Sequence, residues 1–426
     1  MRLLKILFLL IVAVSLSGLM ACKSAHISGG KLHFDQRRFE RALEQFQLAI
    51  IEQPDNGEAY MYLGLTEAEL KHPEEADAAL KKAVELMPEL GDQITVNRLH
   101  YWTELHNDAL RLAGEGNVLR DDGDEAGSKA KFNEALKQFQ IATIYAPEQL
   151  DTHIYIGKLR YQLGETDAAI AIFTNVQKMA AEQMANAQNA AEAQKKQEDV
   201  NGLLVAVYWD LANKAYQTER WDDAIRFYHN VMEITPDEPD LLYQLAGSYF
   251  QKALNVPKEE KTEYLREAAN FYQKVVDRVA TDEDALYNMT VALWDLGEYV
   301  DAEVQARKLV DINSKDGEYR ILLGRILSKL DKKEEFVAEF VLGKALSDSR
   351  PETAATVRDE ATNCGPKSDM LDALRNRGEP EEVRRFTDSS GQEYVCWFYW
   401  TEGKAYAFVN CKQQFQSEFK ASVAGD

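Results

Sequence analysis

The side chains best suited to chemistry in this sequence are its histidines and cysteines. The seven histidines are His26, His33, His72, His100, His106, His153 and His229. No two of them have the spacing of an HExxH zinc site, and the four cysteines contain no CxxC pair. The GxSxG, P-loop and GxGxxG patterns are also missing. We therefore expect no catalytic residues, no metal site and no cofactor, and we expect that the protein is not an enzyme.

The charge of the chain restricts its partners. The 426 residues carry 71 acidic and 49 basic side chains, for a formal net charge of −22. A nucleic-acid-binding protein needs a cationic face to displace counterions, so DNA and RNA are excluded as expected partners. The acidic run 121–125 lacks the ligand order of an EF-hand, and we interpret it as a solvated loop.

The first residues have the composition of a targeting segment. Arg2 and Lys5 precede the apolar run Ile6–Leu16, which is too short to span a membrane as a stable helix, and Leu19-Met20-Ala21-Cys22 follows. This combination resembles the bacterial lipoprotein signal. The resemblance implies that residues 1–21 are removed as a signal peptide and that Cys22 becomes lipidated.

Two further inferences depend on this cysteine. The alternative to lipidation is an ordinary signal peptide cleaved near Ala21, which would leave Cys22 free. Lys23 follows the cysteine, and by resemblance to the sorting rules of Gram-negative bacteria a residue other than Asp there favours the outer membrane. We expect a lipid anchor in the outer membrane, with the protein on its periplasmic face.

A period of 34 residues runs through much of the chain. Ala42, Phe46, Ala49 and Pro54 recur as Ala76, Leu80, Ala83 and Pro88. Upstream of each such set stands a pair such as Leu63-Gly64 or Ile156-Gly157, whose small residue permits two helices to approach closely. These residues resemble the tetratricopeptide repeat. The resemblance implies a mostly α fold, an α-solenoid of about eight helix pairs over residues 22–346.

The repeat is interrupted by three insertions. The first contains the acidic loop. The second, Ala181–Val200, is rich in helix-forming residues and predicts one long helix from Asp167 to Asp199. The third contains Pro257 and predicts a longer second helix in its unit.

The candidate site is the groove lined by the first helix of each unit. By resemblance, five positions of that helix point inward, and two of them carry the aromatic residues Tyr161, Trp209, Tyr216, Tyr243, Phe250, Tyr287 and Trp294. Aromatic side chains suit the anchoring of a bound segment, but the same residues could instead pack between neighbouring helices. Acidic residues one turn away form a rim, namely Asp151, Asp240, Asp284 and Glu318. We expect a peptide or helix segment with apolar anchors and some basic character.

The C-terminal part lacks the repeat. Residues 347–366 are interpreted as a linker and 367–422 as a small α+β domain, with Ser368 as the N-cap of a helix that ends at Gly378 and four antiparallel strands after it. Leu374-x-x-x-Gly378-x-Pro380, Val395-x-Trp397-x-Tyr399 and Ala407-Phe408-Val409 carry a resemblance to the SmpA/OmlA outer-membrane lipoprotein family. For the cysteines we expect a Cys396–Cys411 disulfide, with Cys364 free or exchanged into the pair.

Together these features predict a lipid-anchored scaffold for protein binding in the bacterial envelope. Its partners would be other envelope proteins, and its membrane contact would be the lipid. Assembly of outer-membrane complexes is the first role considered, by analogy with SmpA/OmlA. An adaptor for peptidoglycan enzymes or proteases and a lipoprotein that captures glycans or solutes are the alternatives.

Overall fold

The computed structural model describes residues 25–185, 190–352 and 354–421. The predicted signal peptide and Cys22 lie outside the described residues. The chain forms two compact units that divide between Leu204 and Val205.

The first unit consists of consecutive antiparallel helices. They are α1 (Ala25–Asp35), α2 (Phe39–Glu52), α3 (Gly57–Glu69), α4 (Pro73–Leu86), α5 (Gly91–Asp121), α6 (Glu125–Tyr145), α7 (Leu150–Gln162) and α8 (Thr166–Met184), followed by the N-terminal part of α9 (Ala190–Gln217). The pairs α1–α2, α3–α4, α5–α6 and α7–α8 are successive repeats. The acidic run predicted as a loop connects α5 to α6, and its Asp124 caps α6 by accepting a hydrogen bond from Gly127 N–H at 2.9 Å.

The second unit continues the pairs and ends in a sheet. Its helices after α9 are α10 (Trp221–Ile234), α11 (Pro239–Leu254), α12 (Lys258–Arg278), α13 (Glu283–Leu296), α14 (Tyr299–Ile312), α15 (Gly317–Lys329), α16 (Lys333–Asp348), α17 (Ala354–Asn363) and α18 (Asp369–Arg377). The strands are β1 (Glu382–Thr387), β2 (Glu393–Tyr399), β3 (Lys404–Val409) and β4 (Lys412–Glu418). The predicted fold class, helix pairs of the tetratricopeptide type followed by a small antiparallel sheet, is confirmed.

Small residues allow the two helices of a pair to approach each other closely. A Cβ atom added at Gly157 of α7 would lie 2.4 Å from Cε1 of Phe173 in α8, and one added at Gly64 of α3 would lie 2.7 Å from Cγ of Leu80 in α4. Such distances are shorter than real Cβ contacts, so only glycine permits this approach. The pattern of a small residue facing a large apolar one therefore determines which face of each helix is buried.

The turns inside the pairs repeat one backbone arrangement. In α15–α16, Asp331 N–H donates to Ser328 O at 3.4 Å and Lys332 N–H donates to Leu327 O at 3.0 Å, which is the Schellman pattern. The residue at the position of Asp331 has a positive φ in seven turns, namely at Arg37, Lys71, Gly123, Gly164, Glu219, Gly297 and Asp331. Four of these residues are not glycine, so the helix pair imposes the left-handed conformation on them.

The prediction of one long helix from Asp167 to Asp199 is wrong. Helix α8 ends at Met184 and α9 begins at Ala190. Gln177 Nε2 donates to Asn201 Oδ1 at 2.7 Å, whereas 24 residues of continuous helix would separate them by about 36 Å. The chain therefore reverses, and the helix-forming insertion is shared between two antiparallel helices. The longer second helix predicted after Pro257 is present as α12.

The sheet has the order β1-β2-β3-β4, antiparallel throughout. Ser368 caps α18 as predicted, since Leu371 N–H donates to its Oγ at 3.1 Å. The predicted linker is wrong in part, because residues 354–363 form α17, whose Val357 and Ala361 are buried against the sheet. The small domain therefore begins before residue 367.

The two faces of the sheet pack against different helices. One face, with Trp397 and Phe408, packs on α17 and α18, and the other, with Phe398 and Ala407, packs on α16. A buried ion pair strengthens the second contact: Arg320 Nη1 donates to Glu339 Oε2 at 2.8 Å, and Ser417 of β4 donates to the same carboxylate. The sheet is thus attached to the last repeat by apolar packing and by a charged hydrogen-bond network.

The expected Cys396–Cys411 disulfide is not formed. Cys411 is bonded to Cys364, with 5.7 Å between their Cα atoms, and Cys396 is a free, buried thiol on the face that packs on α16. Asn410 and Cys411 both have positive φ and form the two-residue turn between β3 and β4. The alternation of side chains along β3 therefore ends at Val409, and it does not place Cys411 on the face of Cys396.

The left-handed turns give a first test of this backbone. Asp331→Gly should stabilise the α15–α16 pair by about 1 kcal/mol, because glycine adopts positive φ without the Cβ clash. Gly297→Ala, at the same position of α13–α14 and with no atom near its Cβ, should destabilise by a similar amount. Urea denaturation followed by circular dichroism measures both changes. Equal effects of both substitutions, or a loss of stability in Asp331→Gly, would contradict the repeated turn.

Candidate functional site

The predicted aromatic residues of the second unit lie on the first helices of its pairs. Trp209 and Tyr216 are in α9, Tyr243 and Phe250 in α11, and Tyr287 and Trp294 in α13. The two members of each pair are seven residues apart, which is two helical turns and therefore one face of the helix. We call these six residues the aromatic strip. All six are half-buried and pack against the core of the second unit.

Ring contacts show what buries the aromatic strip. Trp209 meets Tyr228 of α10 edge to face at 5.6 Å between centroids, and Tyr243 meets Tyr272 of α12 in the same way at 5.6 Å. Near the turns, Trp294 contacts Tyr299 of α14 at 5.2 Å. These three rings thus pack on the second helix of their own pair, whereas Tyr287 contacts Tyr319 of α15 in the next pair at 6.0 Å. All of them keep part of their surface exposed.

The seventh predicted aromatic residue, Tyr161, lies in the first unit. It is half-buried in the last turn of α7, where its carbonyl accepts the N–H of Gly164 at 2.9 Å. Asp151 of the predicted acidic rim is in the same helix and accepts a hydrogen bond from Lys196 Nζ at 2.5 Å. This carboxylate is therefore neutralised within the first unit.

Tyrosine hydroxyls accompany the aromatic strip. Tyr228 OH donates to Asn213 Oδ1 at 2.7 Å, and Asn288 Nδ2 donates to Tyr243 OH at 3.1 Å, which links α11 to α13. The hydroxyls of Tyr216 and Tyr272 lie 3.7 and 3.8 Å from the Cβ position of Gly247. We call Tyr216, Tyr228, Tyr243 and Tyr272 the tyrosine cluster. Burial raises the pKa of Tyr228 to about 12 and also raises the pKa of the other three.

Carboxylates lie next to these hydroxyls. After burial, the charges of Asp284 and Asp282 raise the pKa of Tyr243, which places both acids near its ring. Tyr319 of α15 donates to Glu283 Oε2 at 2.9 Å. Asp240, Asp284 and Glu318, each the second residue of its helix, are exposed and form no ion pair with any described residue. The predicted acidic rim of the second unit is therefore present and not neutralised.

The sequence prediction missed part of this arrangement. Tyr228, Tyr272, Tyr319 and Asn288 were not predicted as part of the site. A tyrosine where a repeat needs only an apolar ring adds a hydroxyl that must find a partner, and this was the available signal. The contact between Tyr243 and Asn288 joins residues 45 positions apart and cannot be obtained from a repeat period of 34.

Two of the histidines contact hydroxyl groups of neighbouring helices. His106 is buried, its Nδ1 lies 3.0 Å from Thr152 Oγ1, and burial lowers its pKa. His229 Nε2 lies 2.8 Å from Tyr249 OH. Among the described residues no group of three His, Cys, Asp or Glu side chains could hold a metal ion. No helix in the described part of the chain is both long and apolar enough for a membrane span.

A surface cavity of about 940 Å³ lies beside the Cys364–Cys411 disulfide. Val395 and Phe408 form its apolar part, and Arg385 lies at its side. The guanidinium of Arg385 is held by Glu352 and Glu360, each at 2.8 Å, so its charge is neutralised inside the domain.

Comparison with known proteins supports the repeat. The family model described as tetratricopeptide repeat matches residues 28–89, which begin within α1 and contain α2 to α4. No curated protein matches the chain.

Solved structures of repeat proteins are similar to the chain at low identity. The TPR domain of P58(IPK) is 15% identical and covers 72% of this chain and 98% of that one, with a TM-score of 0.26. YrrB, described as a TPR protein with an unusual peptide-binding site, is 14% identical over 49% of this chain and 92% of that one, with a TM-score of 0.31. The first TPR of Spaghetti (RPAP3), bound to an HSP90 peptide, is 19% identical and covers 30% of this chain and 95% of that one, with a TM-score of 0.25.

The raised tyrosine pKa predicts an alkaline loss of stability. An unfolded tyrosine ionises near pH 10, while Tyr228 in the folded chain ionises near 12, so its contribution is complete below pH 10 and is lost as the pH rises to about 12. Tyr228→Phe should make the fall of the urea midpoint between these pH values shallower. The variant should also be less stable by about 1 kcal/mol at neutral pH, because Asn213 loses a hydrogen bond. An unchanged alkaline slope would show that Tyr228 is not buried as described.

Proposed function

We propose that the protein is a lipid-anchored scaffold of the bacterial envelope that binds segments of partner proteins along the aromatic strip. The observation that carries the proposal is the combination of half-buried aromatic rings with exposed, unpaired carboxylates on α11, α13 and α15. Half-buried aromatic rings are held in place by the core and still expose apolar area. Because they are already restrained, they lose little rotamer entropy when a partner binds to them.

The charge of the site indicates the character of the partner. Asp240, Asp284 and Glu318 lie on successive first helices and form no ion pair with any described residue. A segment with lysine or arginine near its apolar anchors would meet these carboxylates at the edge of the strip. We therefore propose an extended or helical segment of basic character as the ligand class. Within the tyrosine cluster Tyr228 and Tyr272 are buried, so only the half-buried Tyr216 and Tyr243 can offer hydroxyls to this segment.

The proposed compartment rests on the sequence. The signal-like segment ending at Cys22 favours lipidation, and Lys23 favours the outer membrane with the protein on the periplasmic face. Two or three acyl chains would confine the protein to the membrane surface. The Cys364–Cys411 disulfide suits an oxidising compartment outside the cytoplasm.

Assembly of envelope complexes is the process we propose. The small C-terminal domain combines the helix, the Gly378-x-Pro380 turn and the four strands through which it resembles SmpA/OmlA, and that analogy favours assembly over other envelope roles. An adaptor for peptidoglycan enzymes or proteases would use the same surface with a different partner.

A charge-neutralised variant tests the binding site. It carries Asp240→Asn, Asp284→Asn and Glu318→Gln, and these residues are exposed and unpaired, so folding should be unaffected. Crosslinking in intact membranes, followed by quantification of the captured envelope proteins, should show about a tenfold loss, the equivalent of roughly 0.5 kcal/mol for each charge removed. A second variant, Trp209→Ala with Tyr243→Ala and Trp294→Ala, should lower recovery further; circular dichroism checks that it still folds.

The matched control removes the same number of charges from second helices. Glu233→Gln, Glu263→Gln and Glu334→Gln are exposed substitutions on α10, α12 and α16. Recovery of partners should stay at the level of the unchanged chain. Equal losses of recovery in the control and the test variant would show that the loss comes from the change in net charge and not from the position of the three carboxylates. Unchanged recovery in the folded aromatic variant, or affinity of the protein for small oligosaccharides, would contradict the proposal and favour glycan capture.

A further inference from the structure

The turn between α1 and α2 gathers three arginines at one end of the first helix pair. Arg37 has φ 55° and its N–H donates to Phe34 O at 2.8 Å, while Arg38 N–H donates to His33 O at 2.8 Å. Arg38 is also the N-cap of α2, and Arg41 follows within its first turn. We call Arg37, Arg38 and Arg41 the arginine patch.

The arginine patch is exposed and uncompensated. All three residues are exposed, and none forms an ion pair with any residue in the described part of the chain. Many arginines elsewhere are paired, for example Arg98 with Asp77, Arg307 with Glu303 and Arg320 with Glu339. The patch thus leaves three positive charges available to an outside partner.

The surrounding sequence is basic in an acidic protein. Residues 23–41 contain five basic and two acidic side chains, whereas the whole chain carries −22. The acids are Asp35 and Glu40, and Lys31 is held by Glu58. An anionic surface would attract this end of the first unit and repel the acidic remainder.

The distance to the anchor limits where the patch can lie. Only Lys23 and Ser24 separate Cys22 from the first residue of α1, and three extended steps span about 10 Å. Helix α1 has 11 residues and adds about 16 Å to its far end. Lipids that hold Cys22 would therefore keep the arginine patch within about 26 Å of the membrane surface, and an α1 that lies along this surface would bring the patch into contact with it.

We propose that the arginine patch rests on anionic phospholipid headgroups of the leaflet that holds the acyl chains of Cys22. This inference rests on the proposed lipidation. The lipid supplies the confinement, so the arginines need only orient the first helix pair. Leu32, in the last turn of α1 and 57% exposed, lies beside the turn, and an apolar side chain there can enter the boundary between headgroups and acyl chains.

A spin label at Leu32 reads this contact directly. The natively lipidated chain carrying Leu32→Cys is labelled after purification; labelling is specific because Cys396 is buried and Cys364 is bonded to Cys411. The protein is reconstituted into phosphatidylethanolamine vesicles that contain either phosphatidylglycerol or phosphatidylcholine. Accessibility of the label to a water-soluble relaxation agent should fall about threefold in the anionic vesicles, and high salt should restore it.

Two variants control the measurement. Arg37→Gln with Arg38→Gln and Arg41→Gln should abolish the difference between the two vesicle compositions. A label at Val118→Cys, at a site 60% exposed near the end of α5, should report full accessibility in both.

The outcomes separate this inference from the function on which it rests. Equal accessibility at residue 32 in both kinds of vesicle overturns it, and protection that survives in the glutamine variant overturns it in favour of a contact with protein. In both cases the chain still sediments with vesicles. Failure to sediment with vesicles of either composition would instead show that Cys22 carries no lipid.

Discussion

The close approach of the two helices in each pair is the constraint on which the rest of the structure depends. In the first pair, a Cβ atom at Gly30 would lie 2.6 Å from the ring of Phe46; in the fourth, one at Gly157 would lie 2.4 Å from the ring of Phe173. An aromatic ring that covers a glycine removes apolar area from water and fixes the relative rotation of both helices. Once that rotation is fixed, the remaining face of each first helix is determined.

The candidate site uses that remaining face. The second helices hold the aromatic strip through edge-to-face contacts such as Trp209 with Tyr228, and the hydroxyl of Tyr243 bonds to Asn288 of the next first helix. The two interpretations of the strip, packing and exposure, therefore apply to different sides of the same rings. Unpaired carboxylates at the starts of α11, α13 and α15 give this face its charge.

Regular features of the fold could be predicted from sequence. The spacing of 34 located the helix pairs, and Ser368 located the start of α18, because both depend on residues near one another in the chain. The left-handed turns were missed, since residues such as Lys71 and Glu219 do not favour positive φ and adopt it only because the pair requires it. Helix propensity likewise predicted helix between Asp167 and Asp199 but could not show the reversal.

The disulfide and the tyrosine cluster depend on three-dimensional placement. Cys411 lies in a two-residue turn, so face alternation along β3 does not apply to it, and its partner Cys364 follows a helix that was interpreted as a linker. The hydroxyls of Tyr216 and Tyr272 converge near Gly247 of α11 from α9 and α12, which no single repeat encodes. The sequence predicted which aromatic residues belong to the site, but only the structure shows the hydrogen-bond partners of their hydroxyl groups.

The most direct test of the account is whether Gly157 and Phe173 are energetically coupled. Amide hydrogen exchange in α7 and α8 measures the local opening free energy of Gly157→Ala, Phe173→Ala and the double variant. We expect Gly157→Ala to destabilise the pair by about 1–3 kcal/mol through overpacking, and to be neutral or stabilising once Phe173 is Ala. If Gly157→Ala instead stabilised the chain equally in both backgrounds, as the exposed control Gly202→Ala should, close helix approach would not be the constraint that organises this fold.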